Sequence, residues 1–157
     1  MVTSELITIT IRIFVINLFQ EKSLTKCLCP SENPLNSKHA CNIVIKTYDL
    51  KSAERVWTFA LKENLLENCF TTWKFCCLLH KILHEGHNNV QRDSIKYLDK
   101  LTSCAQYWSR QKDHMGQCIA WYCKILSTKL LFHKTHTYFK GNLQLEKDDP
   151  LWDMNNW

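Results

Sequence analysis

Two sets of residues in this chain have types and spacings that could do chemistry. The first is basic: Lys22, Lys26, Lys38, His39 and Lys46 flank a stretch rich in turn residues over 29–37. If the segments on either side fold back as a helical hairpin, these side chains converge near a helix start. Ammonium groups and unpaired backbone N–H groups would meet there, which is the chemistry of a phosphate receptor. The second set is His80, His84 and His87. Its HEGH run differs from the zinc-protease pattern, whose histidines stand four apart, and Gly86 would break the helix between them. Capping and helix-terminus roles fit these histidines, and His133 and His136, better than a metal. No nucleophile elbow, phosphate loop, dinucleotide fingerprint or pair of carboxylates on one apolar face occurs. The reading is of a non-enzymatic protein with no catalytic residues, no metal and no cofactor.

Composition narrows the class. The chain has 157 residues, 45% of them hydrophobic, with only 3 Gly and 3 Pro. That is one mostly helical domain with a real core, rather than a turn-rich sandwich or a disordered segment. The net charge of +5 is modest for a nucleic-acid binder, and none is expected as a partner. Nine cysteines form no CxxC pair. Cys69, Cys77, Cys104, Cys118 and Cys123 recur among apolar residues at helical spacing, as small hydrophobes do, so a reducing compartment is expected.

The elements that must position the basic cluster follow from periodicity. Leu6 to Phe19 is strongly apolar, β-branched and interrupted by Arg12, and it is too short to cross a bilayer. It reads as a strand-like or helical extension packed on the domain, as a wrongly joined first exon, or as a membrane-inserting helix. Lys22 to Leu28 is a short helix stopped by Pro30, and 31–37 is a loop. Lys38 to Tyr48 is a helix with Cys41, Ile45 and Tyr48 inward and Ile43 close by. Asp49 is placed to cap a following helix carrying Ala53, Val56, Trp57 and Ala60. Residues 67–85 form a helix apolar nearly all round, and Gly86 ends it. One helix is expected from Asn89 to Ser109 and another from about Gly116 to His136, with 137–150 a loop. Trp73, Phe75, Leu79, Leu83, Ile119, Tyr122 and Leu126 should be among the most buried side chains. Successive antiparallel helices of this kind suggest a superhelix more than a four-helix bundle. The lysines at 124, 129, 134 and 140 and the acids of EKDDPLWD (146–153) read as solvated faces.

Several runs carry a resemblance. Lys26-x9-Asn36-Ser37-Lys38-His39 resembles the phosphoinositide motif of ANTH domains, K-x9-K-x-(K/R)-(H/Y). WKFCCLLHKILHEGHNNVQRDSIKYLDKL (73–101), GQCIAWYCKILSTKLLFH (116–133) and YFKGNLQ (138–144) are similar to the huntingtin-interacting protein 1 family of endocytic adaptors. The match runs from about Ser23 to Gln144, and DMNN (153–156) resembles the start of a next helix; residues 1–20 show none. The resemblance implies an all-α, right-handed, ENTH/ANTH-type superhelix. It divides the chain into an unmatched extension, 1–20, and the N-terminal part of an ANTH domain, 21–157.

The same resemblance implies a peripheral module that binds phosphoinositide headgroups, PtdIns(4,5)P2 or 3-phosphorylated forms. The setting would be the cytoplasmic face of the plasma membrane and clathrin-coated pits and vesicles. Clathrin and actin would be partners through regions of a parent protein absent here, and epsin-type ENTH domains are a further partner. Carried over residue by residue, the site is Lys26, Lys38 and His39, with Asn36 and Lys46 as secondary contacts. One lysine of the motif falls on Asn36, which donates hydrogen bonds without charge, and an Arg that the family places two after the His falls on Cys41. The alternative reading is a helical protein-interaction scaffold with weakened or lost lipid binding. Asp149-Pro150-Leu151-Trp152 also invites comparison with short adaptor-binding peptides, though Leu151 breaks that pattern.

Overall fold

The computed structural model describes residues 2–144, and all their regular structure is helical: α1 (Val2–Cys27), α2 (Ser37–Leu50), α3 (Glu54–Lys62), α4 (Cys69–Glu85), α5 (Asn89–Ile95), α6 (Leu98–Ser109) and α7 (His114–Thr135). The DPLW run and the end of the expected 137–150 loop lie outside the described residues. The apolar stretch 6–19 is helical, continuous with the expected short helix at 22–28, in one element of 26 residues. It does not pack on the domain, because residues 4–15 are exposed on every side.

The centre is α4, against which α1, α2, α5 and α7 all pack. Its Phe75, Cys76, Leu78, Leu79, Ile82 and Leu83 are buried, as are Ile119 and Leu126 on α7. Trp73 and Tyr122 are only half-buried: they meet edge to face at 5.2 Å near the surface, and the Tyr122 hydroxyl lies 3.0 Å from His80 Nδ1. All nine cysteines are free, and burial pushes the Cys27 thiol up to about 12.

Three expectations are corrected. On α2 the buried residues are Ala40, Ile43, Val44 and Thr47, whereas Cys41, Ile45 and Tyr48 are exposed. Asp49 stays within α2 and pairs with Lys46 at 2.8 Å. The start of α3 is held instead by Asp93 of α5, whose Oδ2 accepts from Ser52 Oγ at 2.8 Å and from the Ala53 N–H at 3.0 Å. The single helix expected over 89–109 is two. Between them Tyr97 stacks on Trp57 at 4.6 Å and donates to Glu54 at 2.6 Å, while Trp57 donates to Ser94 Oγ at 2.9 Å. Meeting α3 through these three contacts bends the chain out of one helical path.

His133 on α7 is 3% exposed, and neither ring nitrogen has a hydrogen-bond partner among the described residues. Burial and the nearby Lys129 ammonium hold its imidazole below the ordinary range, against a weak opposing contribution from the Phe139 backbone. His80 is lowered for the same first reason, burial, with Lys129 and His84 adding to it. The unfolded chain therefore takes up these protons first. Their stabilising effect is complete above the ordinary imidazole value and is lost as pH falls below about 6.5. Thermal denaturation between about pH 5 and 8 should show a melting temperature that falls on the acid side. His133→Leu should raise stability by about 1 kcal/mol, by removing two unsatisfied buried nitrogens, and should flatten that acid limb.

Candidate functional site

The basic cluster depends on how the chain turns from α1 into α2. Leu24, Cys27 and Leu28 are buried, which fixes the last turn of α1 against the core. The segment that follows carries backbone carbonyls with no helix to satisfy them, and α4 supplies the donors. Thr71 Oγ1 donates to the Leu28 carbonyl at 3.1 Å. The Lys74 ammonium, buried to 3% exposure, donates to the Cys29 carbonyl at 3.0 Å, Ser31 Oγ at 3.1 Å and Cys29 Sγ at 3.4 Å. An ammonium has three N–H groups, and each has an acceptor here. The Ser31 hydroxyl, with Lys74 behind it, holds the Cys29 thiol below its ordinary range.

The loop closes onto the start of α2. Cys27 Sγ lies 3.9 Å from the Asn36 carbonyl, and His39 Nδ1 lies 3.4 Å from Ser23 Oγ, so α1 and α2 touch at two points around the corner. Asn36 is the N-cap, its Oδ1 accepting from the His39 N–H at 3.2 Å. This side chain, read from the sequence as a headgroup contact, has its oxygen committed to the helix, leaving only the amide N–H groups to face outward. Lys26 sits exposed in the last turn of α1, Lys38 exposed in the first turn of α2, and His39 half-buried against Ser23.

Lys46 does not join this group. It lies eight residues further along α2, about 12 Å by helical rise. It pairs with Asp49 and lines a surface cavity with Arg12, Ile13 and Ile16 of α1. Cys41 is exposed one turn into α2 and brings no charge.

The acid nearest along the chain to the start of α2 is Glu32, exposed in the loop before it. The first turn of α2 holds no acid. A lysine there opposes the positive end of the helix dipole, an arrangement that disfavours the helix by roughly 0.3–1 kcal/mol unless an anion is present. Lys26 adds a second cation from the neighbouring helix, and the first-turn N–H groups of α2 add donors. Cations and first-turn N–H groups together have the chemistry of an anion receptor. Sequence reasoning missed Ser23, Thr71 and Lys74. Lys74 had left a signal, as the one charge within the apolar run FTTWKFCCLL.

Comparison with known proteins finds relatives over most of the chain. A family model described as ANTH domain matches residues 20–155. Human Huntingtin-interacting protein 1 is 33% identical over 126 residues, 80% of this chain and 12% of that protein. Endocytosis protein end4 of Schizosaccharomyces pombe is 28% identical over 149 residues, 85% of this chain and 14% of that protein. The chain thus spans only a small part of these relatives. Among solved structures, the ENTH domain of epsin-2 in complex with phosphatidylinositol 4,5-bisphosphate superposes with a TM-score of 0.77 at 25% identity, covering 83% of this chain and 51% of that one. The endocytic adaptor complex AENTH gives 0.75 at 25% identity, covering 84% and 53%. With its helices, its fold and most of its length matched in this way, the chain belongs to the ANTH domain family.

Proposed function

We propose that this chain is a phosphoinositide-binding peripheral membrane module of an endocytic adaptor. Residues 21–157 would form the N-terminal part of its ANTH domain, and the remainder of the adaptor would link clathrin coats to actin. The observation that carries the reading is the contact of the last turns of α1 with the start of α2, through Ser23–His39 and Cys27–Asn36, with Lys26 exposed on one helix and Lys38 on the other. Family membership supports it, as does the likeness to a solved ENTH domain in complex with phosphatidylinositol 4,5-bisphosphate. The working location is the cytoplasmic face of the plasma membrane and coated pits.

Lys26 and Lys38 hold headgroup phosphates from two helices, while His39, steadied by Ser23, and the Asn36 amide complete the rim. Lys46 contributes at most long-range attraction. Each lysine near an anionic surface is worth about 1 kcal/mol. The two lysines alone give attachment of only about 30 mM. The site therefore works only with avidity or with a further membrane contact.

Sedimentation with phosphoinositide vesicles at low and high salt tests the site. Lys38→Glu should lower binding about 30-fold, since it removes one attraction and adds a repulsion of similar size. The control is Lys134→Glu on the exposed face of α7, which should change little. Lys129 is unsuitable as a control, because it is half-buried and burial lowers its amine. Equal losses at Lys38 and Lys134 would mean diffuse attraction, and no loss at either would favour a protein-interaction scaffold.

Asn36→Lys separates charge from capping. It restores a cation and should strengthen vesicle binding about fivefold. It should also lower stability by about 1 kcal/mol, because the Asn36 Oδ1 cap on the His39 N–H is lost. Vesicle binding and thermal melting of one variant read the two effects.

Lys74→Met tests the positioning of the loop. It removes the donors for Cys29 and Ser31 and should lower stability by about 1–3 kcal/mol. At a temperature where the variant is fully folded, vesicle binding should fall although no exposed charge has changed.

A further inference from the structure

The side of α1 that faces α3 carries a second polar feature, which the phosphate corner leaves unused. Gln20 is 1% exposed, and neither its Oε1 nor its Nε2 has a hydrogen-bond partner among the described residues. The Oδ1 of Asn17, three residues earlier on the same face, is buried and unpartnered as well. Buried amides are almost always hydrogen-bonded and destabilise a fold when they are not, so an apolar side chain would serve the core better at this position. Both amides line a cavity of about 120 Å³ between α1 and α3. Leu24 and Phe59, both buried, give it an apolar wall, and the exposed Arg55 and Lys62 of α3 line it too. Neither cation is paired among the described residues, whose ion pairs lie at Lys46, Lys81 and Lys96. Lys22 and Lys26 stand two residues beyond Gln20 and Leu24, on another face of α1, so the cavity is separate from the phosphate corner.

We propose that this cavity binds an acidic peptide segment presented by a partner protein. The Gln20 carboxamide carries the same donor and acceptor groups as a peptide bond. Its Nε2 donates to a backbone carbonyl of the segment while its Oε1 accepts a backbone N–H, and Asn17 Oδ1 accepts another. A carboxylate side chain of the segment reaches Arg55, whose planar guanidinium can hold both oxygens, and Lys62 beside it. The stem of that side chain lies against Leu24 and Phe59. Charge favours a carboxylate over a phosphate here. Arg55 and Lys62 share the cavity lining with Glu21, which leaves one net positive charge. That balance matches a monoanion, and the Glu21 carboxylate repels the second charge of a phosphate. The volume suits one side chain with its peptide group, not a ring bearing several phosphates. Occupancy gives partners to the Gln20 and Asn17 amides and to both cations at once. The site does not depend on the phosphoinositide reading of the corner.

The test uses the full chain and a blocked hexapeptide with two central glutamates, beside its glutamine counterpart and inorganic phosphate. The glutamate peptide should move the side-chain amide resonances of Gln20 and Asn17, and neither control should. Arg55→Gln should weaken peptide binding about tenfold, the worth of one charge-assisted hydrogen bond. Gln20→Leu should weaken it by a similar factor while raising the melting temperature by about 3 °C, since the variant no longer buries an unpaired amide. Lys38→Glu in the phosphate corner should leave peptide binding unchanged, and Gln20→Leu should leave vesicle binding unchanged. The proposal is overturned if the glutamate peptide leaves both amide signals in place, which assigns the cavity to water alone. Equal binding of the glutamine counterpart, or an equal response to phosphate, also overturns it. Equal losses in Lys38→Glu and Arg55→Gln would mean diffuse attraction to the basic surface and would sink the site. A Gln20→Leu chain that melts higher yet binds the peptide like the parent does the same, and leaves the buried amide a packing fault.

Discussion

A buried ammonium sets the geometry on which the basic corner depends. Lys74 stands among the buried residues of α4, where an isolated charge would cost several kcal/mol in lost hydration. It is tolerated because its three N–H groups reach the Cys29 carbonyl, the Cys29 sulfur and the Ser31 hydroxyl. Those acceptors lie on the segment leaving α1, so satisfying one buried charge dictates the path of the chain after Leu28. The path then dictates where Asn36 caps α2 and, through the cap, where Lys38 and His39 stand. A core requirement and a surface function are joined in one side chain.

The corner itself is built against local preference. Helix starts are stabilised by acids, yet α2 begins with a lysine and no acid, beside the lysine that ends α1. Burial does not explain this, since both lysines are exposed. Nor does ion pairing, since the ion pairs among the described residues lie at Lys46, Lys81 and Lys96. An external anion would relieve the conflict at the start of α2. Residues that break a local rule without a compensating partner inside the molecule are where function is to be expected.

How much of this was legible in the sequence depended on whether the determinant was local. The all-round apolarity of α4, the glycine after it and the inward set Ala53, Val56, Trp57 and Ala60 were readable because periodicity and burial coincide there. The face of α2 was not. Cys41, Ile45 and Tyr48 make as good a stripe as Ala40, Ile43, Val44 and Thr47, and only the approach of α1 and α4 decides between them. Asp49 and Asn89 carry good capping side chains, but capping is settled by competition. Asp93 reaches the start of α3 from forty residues away, and the Asn89 amide donates to the Lys51 carbonyl instead. Lys26, Lys38 and His39 were legible through their spacing, whereas Ser23, Thr71 and Lys74, which hold them in place, act across tertiary contacts that no spacing reveals.

The continuity of α1 has a mechanical consequence. Residues 2–27 form one uninterrupted helix, so the exposed apolar half and the buried half that carries Ser23, Leu24 and Cys27 cannot turn independently. Rotation of α1 about its axis would carry the Ser23 hydroxyl away from His39 and Cys27 away from the Asn36 carbonyl. Core packing at Leu24 and Cys27, both at most 2% exposed, opposes that rotation. The position of Lys26 relative to the start of α2 is therefore set by the core before any anion is met. An anion that engaged one helix would find the other already aligned, so the second contact would form with little additional loss of conformational entropy. That preorganisation matters most where each lysine is worth only about 1 kcal/mol.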